Sequence, residues 1–292
     1  MKKNWFFENP LPLTKEEIKI GFKIKRKIYS EKSQYQKIEI LDTFALGKIL
    51  ILDGIIQLSQ KYEFIYHEMI SHLSLFSHPH PKRVLIVGGG DGGTLREVLK
   101  HDLKEVFLVE IDPKVMEVSK KYLSFLKLKN SLKRKNVKIF FENGANFIKE
   151  FKNFFDVIIC DSTDPSGPSK ILFSEKFYKD VFNGLSKNGI FITQGGNFLQ
   201  QIFEIKDCYK KLKKIFPFIK IHRAVVFDYQ LTDFSFILAS KGINFEKISL
   251  ERIRKRFKKI EKSLKYYSPE IHFSSGILPK FYKEKIFKPL KL

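Results

Sequence analysis

The 292-residue chain has only two cysteines, one tryptophan and few acidic side chains, and no apolar run in it approaches the length of a membrane span. Each shortage excludes something. Cys160 and Cys208 cannot build a disulfide framework, and without a CxxC or a Cys/His cluster no structural zinc is expected. Cys160 ends an apolar run and reads as a small buried hydrophobe. The first residues carry two lysines but too short an apolar stretch for a secretory leader, so a cytoplasmic protein with no membrane partner is expected. Lys and Arg number 54 against 32 Asp and Glu, a net charge of +22. Such a field attracts polyanions. Yet no RNA-binding signature or basic arm with interleaved aromatics accompanies it, so no dedicated nucleic-acid partner is expected. Stretches such as Tyr209 to Ile215 read instead as solvated helix faces.

What the chain does have is an ordered alternation of patterns. Phe22 to Ile28, Tyr35 to Leu41, Lys48 to Asp53 and Ile55 to Ser59 read as strands, with Gly47 and Gly54 at turns. They predict a small antiparallel β domain over residues 1–61. From Glu63 to Phe76 the apolar spacing becomes helical, and His78 to Pro81 is a loop. Short, fully apolar strands then alternate with helices: strands at Arg83 to Val87, Glu105 to Ile111, Val137 to Phe141, Asp156 to Cys160 and Gly189 to Thr193. Helices are expected at Thr94 to Lys100, Pro113 to Leu123, Asn146 to Phe151 and Glu175 to Leu185. This is an α/β pattern, a Rossmann-like, methyltransferase-type doubly wound sheet over residues 62–292. Ile248 to Leu264 reads as one amphipathic, very basic helix.

Gly88, Gly90 and Gly93 satisfy G-x-G-x-x-G between a strand and a helix, and Glu110 closes the next strand seventeen residues past Gly93. That is the layout of a nucleotide site, with an acid placed to accept hydrogen bonds from ribose hydroxyls. The motif by itself serves both dinucleotide and adenosylmethionine-type ligands. Asp91 separates them, because a carboxylate beside this helix N-terminus repels a pyrophosphate and attracts a cation. A plain capping role for Asp91 is the competing reading. Asp161 and Asp164, in Asp161-Ser-Thr-Asp-Pro-Ser-Gly-Pro168, follow another strand, and ligands of open α/β sheets lie beyond the carboxyl ends of strands. Pro165 keeps Asp164 extended, and Gly167 and Pro168 predict a loop able to close over the site. A basic molecule is thus expected to hold an acidic pocket.

These residues resemble the polyamine aminopropyltransferases, the spermidine synthase family. The likeness runs through Gly88 to Gly93 with Leu95-Arg-Glu-Val98, Val109-Glu-Ile-Asp112, and Asp156 to Pro168 with Leu172-Phe173. It extends to Tyr35-Gln36, Leu50 to Gly54 with Gln57, Glu63 to Glu68, Tyr266 to Pro269, His272 and Leu278-Pro279. It implies transfer of an aminopropyl group from decarboxylated adenosylmethionine, a co-substrate and not a resident cofactor, to a diamine such as putrescine. Neither metal nor covalent intermediate is required. It further implies that Glu110 holds the ribose hydroxyls, that Gln36 and His67 contact the donor, and that Asp91 and Asp161 grip its ammonium. Asp161 also acts as the catalytic carboxylate on the attacking amine, with Tyr66 and Tyr229, while Gln57 and Asp164 line the acceptor side. A homodimer or homotetramer formed through the N-terminal region is implied as well.

The sequence departs from the family in places. Asn143, before Gly144, stands where the family has an Asp facing the adenine amino group, and its carbonyl can still accept. The family's Pro-Thr-Tyr-Pro-x-Gly stretch reads Phe227-Asp-Tyr-Gln-Leu-Thr232, and Tyr62 replaces an Asp. Asp228 and Asp233 add carboxylates that would suit a guanidino-bearing acceptor such as agmatine, or a longer amine, if they face the pocket. Three other readings stay open at this point: a diamine N-methyltransferase, an RNA methyltransferase, and a non-catalytic nucleic-acid- or polyamine-binding module.

Overall fold

The structure is a computed structural model that describes residues 4–9 and 20–288. Most of the N-terminal stretch considered for a leader therefore lies outside the described residues. Strands β1 (Trp5–Phe7), β2 (Gly21–Lys32), β3 (Lys37–Thr43), β4 (Gly47–Leu52) and β5 (Ile55–Ser59) form a sequential antiparallel sheet. Its strands carry apolar residues on both faces. Ile38, Ile40, Leu50, Leu52 and Leu58 pack against Val115, Val118, Leu123 and Leu126, so the small sheet docks onto the helix Pro113–Tyr122 and the turn after it. Leu41, Ile49, Ile51 and Ile56 pack on the other face with Phe6, Phe22 and Tyr62.

Helix α1 (Glu63–Ser77) then leads into β6 (Arg83–Gly88), α2 (Gly93–Val98), β7 (Glu105–Glu110), α3 (Pro113–Tyr122), α4 (Leu128–Ser131), β8 (Val137–Phe141), α5 (Gly144–Phe147) and β9 (Phe155–Asp161). After these come α6 (Glu175–Gly184), β10 (Leu185–Asn197), α7 (Ile202–Lys213), β11 (Phe218–Val226), β12 (Thr232–Ser240), α8 (Leu250–Phe257), α9 (Pro269–Ser274) and α10 (Lys280–Phe287). The second sheet has the order β11-β12-β10-β9-β6-β7-β8. β8, β7, β6, β9 and β10 run parallel, and β12 and β11 return antiparallel at one edge.

Alternation explains why the parallel strands are buried on both sides. Val84, Ile86, Val157 and Ile159 join a core beneath α1 and α2, whereas Leu85, Val87, Ile158 and Cys160 join the opposite core with Phe177 and Ile205 of α6 and α7. Cys160 and Cys208 are both buried free thiols, pushed up to about 12 by burial. Asp112 caps α3 by accepting from the Lys114 amide at 3.0 Å, ahead of Pro113.

Two expectations need correction. The basic amphipathic segment is not one helix to Leu264. α8 ends at Phe257, and a turn with a short 3₁₀ segment follows. Ile260 leaves the helical region (φ −123°, ψ −3°), and the Ser263 carbonyl is taken by Lys100 Nζ at 2.8 Å. Ile260 and Leu264 still reach the same core, which is why their spacing imitated a continued helix. The segment after Pro165 is likewise not wholly loop: Gly167–Phe173 winds into a 3₁₀ helix capped by Ser166.

Candidate active site

The order of the second sheet reverses at β6, from which the chain first builds outward through β7 and β8 and then returns to β9. In that crevice Gly88 pairs with Asp161 across the ladder, so the glycine turn and the second acidic loop emerge side by side. Beyond them lies a cavity of about 300 Å³. It is roofed by the small sheet, which reaches it because of the packing on α3. Gln36, Gln57, Tyr66, His67, Asp91, Glu110, Asn143, Gly144, Asp161, Asp164 and Tyr229 all line this one cavity.

Two glycines of the motif are required by close approach. A Cβ on Gly90 would lie 2.7 Å from Glu110 Oε2, and one on Gly93 would collide with the His67 ring. Gly90 N donates to Glu110 Oε2 at 3.0 Å and Asp112 N donates to Oε1 at 2.9 Å, which fixes the carboxylate across the turn. Burial pushes Glu110 up to about 7 despite those two donors. Gln36 Nε2 and Ser33 Oγ donate to Asp112 Oδ2 at 3.0 and 2.7 Å, tying the small sheet to the same corner.

Asp91 does two things at once. Its Oδ1 accepts from Gly93 N at 2.7 Å and faces His67 Nε2 at 3.4 Å. His67 Nδ1 in turn meets Glu63 Oε2 at 2.6 Å, and Arg96 grips Glu63 with Nη1 at 2.9 Å and Nη2 at 2.8 Å. Burial opposes charge on His67, but the Asp91 and Glu63 carboxylates outweigh it and hold the ring well above its ordinary value. Asp91 resists the cost of burial in the same way, held low by the imidazolium and the Gly93 amide. Asp161 goes the other way: burial and the nearby Asp91 carboxylate raise it. Tyr66 Oη donates to Asp161 Oδ1 at 2.8 Å and Thr94 Oγ1 to Oδ2 at 2.6 Å, so the carboxylate is oriented from both sides.

His67, Asp91 and Asp161 bring one ligand atom each to within 4.8 Å of one another, close enough for a metal. Both ring nitrogens of His67 face carboxylates, however, and the ring favours its proton. The cluster is therefore suited to an ammonium, which needs acceptors and charge but no free lone pair on the imidazole.

Tyr229 lies edge-on to Tyr66 with ring centroids 5.2 Å apart, but its hydroxyl donates to the Gln57 carbonyl at 2.9 Å and not to Asp161. Asn143 Oδ1 accepts from Ala145 N at 2.9 Å as the cap of α5, so its carbonyl is partly engaged. Asp228 and Asp233 are absent from the cavity lining. Asp228 Oδ2 accepts from Ser59 N at 2.9 Å, and Asp233 accepts from Arg223 Nη1 on both oxygens at 2.9 Å and from Tyr282 Oη at 3.5 Å. Both are structural.

Sequence reasoning missed several contributors. Thr94, Glu63 and Arg96 stand in segments whose role it attributed to other residues, although Glu63 precedes His67 by four positions on one helix. Glu8 had no local signal. It is buried, lines the cavity, accepts from Ile56 N at 2.8 Å and is raised by burial to about 7. Among the described residues six carboxylates line the cavity (Glu8, Asp53, Asp91, Glu110, Asp161 and Asp164), and no lysine or arginine does.

A methyltransferase-type sheet carrying an acidic, nucleoside-sized cavity at its switch point defines a group-transfer enzyme whose ligands are cations. Residues 63–251 match the family model "Spermine/spermidine synthase domain", and residues 4–60 match "Spermidine synthase tetramerisation domain". The chain belongs to the spermine/spermidine synthase family, the polyamine aminopropyltransferases. It is 41% identical over 285 residues to a polyamine aminopropyltransferase of Caldicellulosiruptor bescii, covering 97% of this chain and 98% of the relative. With that of Clostridium kluyveri it shares 40% over 272 residues, covering 92% and 95%. A spermidine synthase crystal structure in complex with the transition-state analogue AdoDATO superposes with a TM-score of 0.91 at 39% identity, covering 98% of this chain and 96% of that one. The Thermotoga maritima spermidine synthase structure gives 0.88 at 38%, covering 98% and 95%. The tetramerisation match supports a homo-oligomer. No helix among the described residues is long and apolar enough to cross a membrane.

Proposed function

We propose that the enzyme transfers the aminopropyl group of decarboxylated adenosylmethionine to putrescine, giving spermidine and methylthioadenosine. The observation that carries this reading is the charge of the cavity: among the described residues six carboxylates line it and His67 is its one basic side chain, inside a protein of net charge +22. A doubly cationic nucleoside and a cationic amine are the ligands such a lining selects.

In this reading Glu110 accepts from the ribose hydroxyls, with Gln36 beside it. Asn143 and Gly144 border the base. His67 keeps Asp91 ionised, and Asp91 with Asp161 takes the donor's ammonium. The amine nitrogen attacks the methylene next to the sulfonium; the new N–C bond forms as the C–S bond breaks. The bonding pair returns to sulfur, leaving a neutral thioether, so the leaving group needs no acid. The acceptor nitrogen, bound as an ammonium without a free lone pair, gives one proton to Asp161 to become the nucleophile. The secondary amine it forms keeps the other two as an ammonium. The raised proton affinity of Asp161 suits a base, and Tyr66 and Thr94 fix its orientation. Holding two mutually repelling cations in line supplies much of the rate. Gln57, Asp164 and Tyr229 border the acceptor, Tyr229 by its ring.

With Asp228 and Asp233 committed to Ser59 and Arg223, the argument for a guanidino acceptor loses its carboxylates, and a simple diamine is favoured. We also assign assembly as a tetramer through residues 4–60, where Trp5, Phe7 and Phe44 expose 46%, 49% and 62% of their surface. The cytoplasm is the expected compartment. The test is a product assay with decarboxylated adenosylmethionine or adenosylmethionine as donor, and putrescine, cadaverine, agmatine and spermidine in competition as acceptors. Spermidine with methylthioadenosine is expected; methylputrescine as sole product would overturn the reading.

A further inference from the structure

Both nitrogens of the His67 ring face carboxylates, Nδ1 that of Glu63 at 2.6 Å and Nε2 that of Asp91 at 3.4 Å. An ionised carboxylate only accepts, so a ring that satisfies both acids must donate from both nitrogens, and only the imidazolium does so. A neutral ring would set a lone pair against one of the two. The ring is also confined. It is buried, it fills the space that a Cβ on Gly93 would take, and it meets the Tyr66 ring edge-on with centroids 5.5 Å apart.

Glu63 is fixed in its turn. Arg96 reaches it from α2 with Nη1 and Nη2, a fork that matches the two carboxylate oxygens. The same guanidinium donates from Nε to Glu97 Oε1 at 2.8 Å, and Glu97 Oε2 faces His72 Nε2 at 3.1 Å. Glu63 is thus tied to α2 and cannot follow the ring if the ring moves. Neither Glu63 nor Arg96 lines the cavity. Their effect on a ligand runs through His67, and the ring faces Asp91 while Asp161 accepts from the hydroxyls of Tyr66 and Thr94. Two neighbouring acids set in such different surroundings take different roles. The other groups whose charge reaches the His67–Asp91 pair are Asp161 and Glu110 at the ends of β9 and β7, Arg96 of α2, and Asp228 and Tyr229 in the turn after β11.

We infer that Glu63, clamped by Arg96, is a positioning residue for the donor: it holds His67 as a permanent double donor, and through the ring it fixes the charge that Asp91 presents to the donor's ammonium. The inference rests on the aminopropyl-transfer reading for its ligand but is tested without turnover. Glu63→Gln makes the site one unit more positive for as long as the ring keeps its proton. With no anion on Nδ1, the ring can release that proton and cancel the change. The variant should therefore carry the native charge at high pH and one extra positive charge at low pH, a difference that only a cationic ligand senses.

The experiment measures the affinities of decarboxylated adenosylmethionine and of methylthioadenosine by calorimetry between pH 6 and 8.5, with no acceptor present. Their ratio cancels what the shared nucleoside contributes, Glu110 included. In Glu63→Gln the ratio is expected to lie within about twofold of the wild-type ratio at pH 8.5 and at least about fivefold below it at pH 6. Adding His67→Gln to that variant should abolish the step, because the titrating ring is gone. Arg96→Lys keeps the charge but cannot fork across both oxygens; it serves as the second variant should the first fail to fold, with the same step at a smaller size. A ratio that is unchanged, or lowered equally at every pH, would overturn the inference, as would a step that survives the loss of His67. Wild-type protein that binds the donor more tightly than methylthioadenosine but transfers nothing would sink the reaction and leave the role of Glu63 to be decided by the same ratios.

Discussion

Glu110 offers the sharpest quantitative test, because its proposed work is done by an ionised group held near neutrality. The carboxylate is buried at the cavity wall and raised to about 7 by that burial, with one backbone donor on each oxygen. The remaining lone pairs are what a ribose diol would use, and a proton occupies one of them. At pH 5.5 about 3% of a group with that pKa is ionised, and at pH 8.5 about 97%. Affinity for methylthioadenosine should therefore weaken ~30-fold between those pH values, about 2 kcal/mol. That matches the roughly 1.5–3 kcal/mol of a hydrogen bond to a charged group. Methylthioadenosine is the probe of choice because it lacks the ammonium that Asp91 and Asp161 would sense. Calorimetry across the range gives the affinity directly, and in buffers of different ionisation heat it gives proton release below pH 7. Glu110→Gln should bind more weakly at high pH and show a flat profile, which separates Glu110 from Glu8 and Asp228, raised to about 7 and about 6. A flat wild-type profile would refute the assignment.

The same shifts set the stability of the unliganded protein. Folded values above the ordinary 4.5 mean that Glu8 and Glu110 contribute fully below pH 4.5 and lose that contribution as pH rises through about 7, at most about 3 kcal/mol each. Melting temperature should fall between pH 5 and 8, and a rise would contradict it. Asp161→Asn should lower kcat by ~10²–10⁴ with melting temperature unchanged or higher, since a buried carboxylate is removed and Tyr66 and Thr94 keep partners; a wild-type rate would remove its role. Asp91→Ala should weaken decarboxylated adenosylmethionine at least about tenfold more than methylthioadenosine, because only the former carries a terminal ammonium; equal losses measured by calorimetry would count against it. Gly93→Ala should displace the His67 ring, costing about 1–3 kcal/mol in denaturant melts and weakening the donor; an unchanged protein would show that the close approach does not matter.

Much of the site was legible because its members sit in short local patterns. The strand-turn-helix of Gly88 to Gly93 places Gly90 and Gly93 where only glycine fits, and Glu110 and Asp161 end their strands at the cavity. Binary patterning gave the parallel strands, since a fully apolar five-residue run has few alternatives in an α/β chain. What escaped was non-local. Glu8 reaches Ile56 across 48 residues, and Asp228 reaches Ser59 across 169, so nothing nearby in the sequence marks which way either carboxylate points. Asp228 and Asp233 lie near Tyr229 in the sequence, which left open whether they face the pocket, and each meets a structural donor. The end of α8 was misread for a related reason: a turn can return Ile260 and Leu264 to the core that a continued helix would have reached.

The contrast between a lysine-covered exterior and an anionic interior has a kinetic consequence. Polycations diffusing toward this enzyme meet repulsion at long range and attraction only at the mouth, so capture is opposed until the last few ångströms. Added salt shortens the reach of the outer field, to about 8 Å at physiological ionic strength, while leaving the enclosed acids less affected. Second-order capture of its substrates should accordingly quicken with moderate salt, the reverse of an enzyme that steers its ligands in from afar.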